Sequence, residues 1–181
     1  MSLSPVYLAP EELEKECRFE RLRRSGPGGQ NRNKVETAVR FHHLPTGLVG
    51  EASERRRQGE NRKIALDRLR LELALTVRTV PTLELDAQGN AALPQDRAKS
   101  MRWFERLQGN KIRVAPTHFD YPILVAEFFD VYAATNENLT QTAELLQTTA
   151  SQIVKLLADN PKALETLNAL RAKQGMGRLK A

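Results

Sequence analysis

The stretch Arg24–Lys34 reads RSGPGGQNRNK. Gly26, Gly28 and Gly29, with one proline, stand between two arginines, and a glutamine, two asparagines and a lysine follow. Clustered glycines allow backbone conformations and close approaches that a Cβ forbids. The spacing therefore predicts a loop that brings the bare peptide of Gln30 against a partner. The flanking cations say that the partner is anionic.

Working outward, both flanks read as β structure. CRFERLR (17–23) alternates as a strand does, with one or two helical turns over 9–16 ahead of it. Ala38 to His43 reads as a second strand, Pro45-Thr46-Gly47 as a turn and Leu48 to Ala52 as a third strand. From about Glu54 to Val77 there is no proline, the only glycine is Gly59, and Leu, Arg and Glu dominate, which predicts one long helix. Ala65, Leu66, Leu69 and Leu73 share one face of it, while Ile64, Leu71 and Leu75 lie nearly opposite. The first stripe is expected to cover the sheet, and the second calls for another cover, for which the C-terminal half is the candidate. The fold class is therefore α+β, a small antiparallel sheet with a long covering helix, followed by an all-α C-terminal part.

The chain has 181 residues and a net charge of +6. Cys17 is the only cysteine, which excludes a disulfide framework and a cysteine metal site. No apolar run approaches the roughly 18 residues of a membrane span and no signal-peptide pattern opens the chain, so a cytoplasmic protein without membrane partners is expected. The charge is unevenly placed. Residues 1–114 carry 22 Lys/Arg against 15 Asp/Glu, residues 115–170 carry 2 against 7, and the last eleven add four cations and no acid. A basic body, an acidic second part and a short basic tail predict units with different partners. The expected division is 1–78, a connector over 79–116 with one helix around Trp103 (95–107), an acidic helical domain over 117–170, and the tail 171–181.

In the acidic part, Pro122 to Thr135 reads as a buried helix, Asn138 and Thr149 as N-caps of two short helices, and Asn160-Pro161 as the start of a last one. Residues 139–157 resemble a helix-turn-helix through Ala143, Leu146, Ile153 and Leu156, but depart from it at Gln147, where that turn normally has Gly. With Ser151, Gln152 and Lys155 as its polar contacts and an acidic surrounding segment, DNA is disfavoured and a protein partner is the expectation.

Residues 25–69, SGPGGQNRNKVETAVRFHHLPTGLVGEASERRRQGENRKIALDRL, resemble the catalytic domain of class I peptide chain release factors and their ribosome-rescue relatives. The matching pieces are the SGxGGQ loop, Asn33, the strand TAVRF, the PTG turn, the SER at 53–55 and the helix start Asn61 to Leu69. The resemblance covers about residues 17–78. It implies ribosome-dependent hydrolysis of the peptidyl-tRNA ester, with Gly28, Gly29 and Gln30 as the catalytic loop in the peptidyl transferase centre. It further implies that the Gln30 N–H stabilises the developing oxyanion, a donor of a kind typically worth about 3–4 kcal/mol, while the side chain orients water. Large-subunit rRNA and peptidyl-tRNA are the implied partners, with Arg23, Arg24, Arg32, Lys34, Arg55, Arg56, Arg57, Arg62 and Lys63 against phosphate. A methyltransferase acting on Gln30 is a further partner that the family brings with it.

No cofactor and no metal are expected: His42 and His43 are adjacent, so on a strand they face opposite ways. Release factors are longer and carry a codon-reading domain, for which 16 residues ahead of the first strand leave no room. The chain also has no stop-codon-reading tripeptide of the Pro-x-Thr or Ser-Pro-Phe type. The expectation is a codon-independent rescue factor, whose four-cation tail departs from the long basic tail of small rescue factors. The alternative is a non-hydrolytic ribosome- or RNA-associated module with the same fold, against which the intact GGQ speaks.

Overall fold

The computed structural model describes residues 4–22 and 37–180. The chain divides into two compact units, Met1–Thr76 and Val77–Ala181.

The first unit has the predicted layers. Helix α1 (Pro10–Lys15) leads into strand β1 (Cys17–Leu22), which pairs antiparallel with β2 (Ala38–His43); β2 pairs with β3 (Val49–Ala52) around the Pro45-Thr46-Gly47 turn. The inner face carries Val39, Phe41 and the fully buried His43, with Gly50 and Ala52 opposite Phe41 and Val39. Helix α2 (Gln58–Thr76) lies on that face through Ala65, Leu66, Leu69 and Leu73, the predicted sheet stripe, all of them buried. Gly50 is where strand and helix meet. A Cβ there would stand 2.1 Å from the Ala65 carbonyl oxygen and 2.7 Å from both Leu69 Cβ and Leu69 N.

Two features of this unit, its opening turn and the start of α2, are not legible in the sequence. A 3-10 turn, Pro5–Tyr7, packs against the flank of α2, buries Val6 and offers its Val6 carbonyl to the buried Arg70 guanidinium at 2.9 Å. Helix α2 begins at Gln58, four residues after the predicted start. On the second stripe Ile64 and Leu71 are half-buried and Leu75 is buried.

The second unit is built around α5 (Tyr121–Ala134), apolar nearly all round and buried from Tyr121 to Tyr132, as a helix of that composition must be. Two short hairpins precede it, β4 (Glu84–Leu85) with β5 (Ala91–Ala92), and β6 (Leu107–Gln108) with β7 (Lys111–Ile112). The single helix expected over 95–107 is two, α3 (Gln95–Ser100) and α4 (Arg102–Arg106), parted by Met101 in extended conformation. The cause is Glu127 of α5. Its buried carboxylate accepts the N–H groups of both Arg102 and Trp103 at 2.7 Å, so the chain starts a new helix there rather than continuing the old one.

Three helices close the unit, α6 (Leu139–Leu145), α7 (Ala150–Ala158) and α8 (Pro161–Lys173), and the caps fall where the sequence puts them. Asn138 accepts from Gln141 N–H, Thr149 from Gln152 N–H and Asn160 from Lys162 N–H. The last residues turn back on α8: Leu179 donates to and accepts from the Asn168 side chain (2.8 and 3.1 Å), and Arg171 donates to the Gly177 carbonyl. Among the described residues no helix is long and apolar enough to cross a membrane.

Candidate nucleic-acid interface

Strands β1 and β2 end their pairing at Leu22 and Ala38, and residues 23–36 link them. Gly28, Gly29 and Gln30, together with Arg23, Arg24, Arg32 and Lys34, fall in that link and lie outside the described residues. Its far foot is described and is clamped by Asn61, in the first turn of α2. The Asn61 side chain is fully buried; its Nδ2 donates to the carbonyls of Thr37 (2.7 Å) and Arg55 (2.9 Å), and its Oδ1 accepts the Arg55 N–H at 2.9 Å. One side chain thus joins the chain emerging from the link to the arginine run. It also explains the late start of α2, because the Arg55 amide is satisfied by Asn61 and residues 55–57 stay outside the helix. The sequence marks Asn61 only as part of a motif; a buried amide at a helix start is the signal it carries.

Asn61→Ala is expected to lower stability by about 3 kcal/mol, since three hydrogen bonds go and buried backbone groups lose their partners. Asn61→Asp should fare no better, because it turns a carboxylate toward two carbonyl oxygens. Denaturant midpoints test this, and an alanine variant within about 0.5 kcal/mol of wild type contradicts the clamp.

Arg55, Arg56 and Arg57 are exposed, and among the described residues none has a carboxylate partner. Lys63 is exposed as well. Arg62 is differently employed. It makes a two-pronged ion pair with Glu14, with Nε 2.9 Å from Oε1, and its guanidinium stands 4.9 Å from the Phe19 ring centroid and 5.8 Å from that of Phe41. The outer face of the sheet is largely self-neutralised: Glu20 pairs with Arg18 (2.9 Å), His42 (2.9 Å) and Arg40 (3.8 Å), and Arg40 pairs with Glu51 (2.6 Å). The His42 hydrogen bond, foremost, holds the Glu20 carboxyl below its usual range. Uncompensated positive charge among the described residues of this unit is therefore concentrated at 55–57, beside the foot of the link.

His43, on the opposite face from His42, sits between Thr46 Oγ1 (2.7 Å) and Glu16 Oε2 (2.9 Å). Cys17 is a packed side chain that donates to the Leu13 carbonyl at 3.2 Å. Burial, then Glu16 and Glu14, push its thiol up to about 11, which leaves it a poor nucleophile at neutral pH.

A three-stranded antiparallel sheet backed by one helix, with the glycine-rich residues 23–36 joining its first two strands and exposed arginines at 55–57, defines the class of the first unit. Residues 10–116 match the RF-1 domain, and the chain belongs to that family, the class I release factors with a GGQ domain. The match runs past the expected 17–78, taking in α1 and both hairpins of the second unit. Among curated relatives, peptide chain release factor 1 of Streptococcus pneumoniae (strain Taiwan19F-14) is 37% identical over 105 residues, which cover 55% of this chain and 29% of that protein. Peptide chain release factor 2 of Helicobacter pylori (strain P12) is 37% identical over 106 residues, 54% of this chain and 27% of that protein. The match thus spans less than a third of these relatives' length. No solved structure matches.

Proposed function

We propose that this chain releases nascent peptide on the ribosome without reading a codon, by hydrolysing the peptidyl-tRNA ester through Gly28, Gly29 and Gln30. The observation that carries the reading is the family match over 10–116, which contains an intact GGQ between two paired strands. In this reading the Gln30 N–H meets the charge that develops on the ester oxygen when water attacks. A donor delivered on bare backbone can approach RNA-enclosed chemistry more closely than one on a side chain. Gln30, in such a role, is also the residue on which a methyltransferase would act. The place of action is the cytoplasm, where the ribosome is the partner.

Around the loop, Arg55, Arg56 and Arg57 take phosphate, with Lys63 and the link cations Arg23, Arg24, Arg32 and Lys34. Arg62 contributes less, since Glu14 already claims its guanidinium. Replacing Arg55, Arg56 and Arg57 by Gln is expected to weaken ribosome association. The slope of log K against log salt should fall by about 2–3, close to one unit for each phosphate no longer neutralised. Sedimentation with ribosomes across a salt series measures both. An unchanged slope contradicts the assignment of this cluster to RNA. Codon independence is the finer part of this proposal. It is tested by release of labelled peptide from ribosomes whose A site is empty.

A further inference from the structure

In the second unit, the β6–β7 hairpin and helix α7 face each other across a cleft of about 480 Å³. Lys111 and Arg113 line it from the hairpin side, Gln152, Lys155 and Asp159 from the helix, with buried Leu156 between. Lys111, Arg113 and Lys155 are exposed, and among the described residues none of them is paired with a carboxylate. Lys155 is the only cation of α7, and the two others stand some forty residues earlier in the chain. The fold, rather than the local sequence, collects them in a neighbourhood that is otherwise acidic.

The cleft is built rigidly. Helix α6 ends in a Schellman motif, with Thr148 N–H bonded to the Ala143 carbonyl, Gln147 N–H to that of Glu144, and Gln147 at φ 53°. Gln147 thus takes the left-handed conformation that suits glycine, and the helix-turn-helix geometry forms without one. Thr148 Oγ1 then donates to the Asn110 carbonyl at the hairpin tip (2.6 Å), Trp103 Nε1 to that of Leu146 (2.9 Å), and Tyr121 OH to that of Leu156 (3.1 Å). These bonds tie the hairpin, α4, α5 and α7 into one body, so the three cations are held near one another before any partner arrives.

We propose that this cleft is a second RNA-binding surface, which takes the phosphate backbone of a single strand between the hairpin and α7. Cations arriving from opposite walls suit a run of phosphates better than one small anion, and the Gln152 amide can meet a ribose or base edge. A duplex fits poorly. Asp159 follows Lys155 by one turn on the same side of α7, and its carboxylate would repel a backbone laid along the whole helix. The choice of RNA over DNA rests on the ribosomal reading above.

The test uses the full chain and a fluorescein-labelled single-stranded RNA, with affinity measured from about 50 to about 200 mM salt and hydrogen exchange followed with and without RNA. The variant K111Q/R113Q/K155Q is expected to bind about tenfold more weakly, with the salt slope reduced by about 2, the value for three phosphates on a single strand. In wild type, RNA should slow exchange at 111–115 and 150–156. The charge-matched control K99Q/K162Q/K173Q, whose residues do not line the cleft, should bind within about twofold of wild type. Equal weakening by both triple variants, or no protection of 111–115, overturns the proposal. So does protection of these segments by duplex DNA or an acidic peptide in place of RNA. Peptide release is assayed separately with Gly29→Val. If that variant releases peptide like wild type but protection persists, the catalytic assignment of the loop falls and this cleft stands. If neither wild type nor variant releases peptide, the ribosomal reading falls; loss of release in the variant with no protection in wild type removes the cleft alone.

Discussion

Gly29→Val is expected to lower peptide release by about a hundredfold or more, while the melting temperature stays at the wild-type value. The loss follows from what glycine allows. Valine's branched Cβ narrows the accessible φ/ψ and thickens the backbone just ahead of Gln30, which in the proposed mechanism would keep the donor N–H from the developing oxyanion. Removing one such donor typically lowers kcat by about 10²–10³. Gln30→Ala is the milder change, because its main-chain N–H survives. Stability is expected to hold because the core described for the first unit, from Val6 to Leu75, is assembled from residues on either side of the link. Release by Gly29→Val at the wild-type rate contradicts the catalytic assignment. Loss of release together with a large drop in melting temperature also counts against it, because the residue would then be structural.

The second large effect is expected at Gly50. A Cβ at this position would come within 2.1 Å of the Ala65 carbonyl oxygen and 2.7 Å of Leu69 N, both of them helix backbone, and 2.7 Å of Leu69 Cβ. No rotamer relieves such a clash; α2 has to move off β3 as a whole. Opposite Gly50 in the sheet stands the buried Phe41, so a retreating helix also uncovers the main aromatic of this core. Overpacking typically costs about 1–3 kcal/mol, and with rigid backbone as the obstacle Gly50→Val should reach the top of that range or pass it. For a unit of this size that lowers the melting temperature by about 15 °C or more. Thermal melts of the full chain, with hydrogen exchange in α2 to locate the loss, test this. A valine variant that melts within about 2 °C of wild type would mean that strand and helix do not approach so closely.

How far the sequence discloses this architecture depends on what decides each element. Period-two alternation over 17–22 and 38–43, and the Pro45-Thr46-Gly47 turn, are local signals, and those strands fall where they are expected. The same holds for the caps Asn138, Thr149 and Asn160, which act within one helical turn. Elements decided by distant partners escape a local reading. Residues 55–57 have helical composition, and nothing nearby announces that Asn61 will claim the Arg55 amide. The pattern over 95–107 is that of one helix, because its break depends on Glu127, 25 residues further on. The turn at Pro5–Tyr7 gains its place from Arg70, 64 residues away from Val6. At the candidate interface, residue types identify the arginine run but do not separate the free Arg55–Arg57 from Arg62, whose partner Glu14 comes from α1. The cleft of the second unit is hidden for a like reason: charge counted along 139–157 overlooks two of its three cations, which stand on a hairpin at 111–113.

The central claim is release without a codon, and one measurement addresses it directly. Ribosomes carrying labelled peptidyl-tRNA in the P site are prepared with mRNA that ends there, and in parallel with a sense codon or a stop codon in the A site; peptide freed by the wild-type chain is followed over time. The account predicts rapid release from the ribosomes with an empty A site and no added advantage from a stop codon. Release that requires a stop codon, or none in any arm while the chain stays bound to the ribosome, would contradict it.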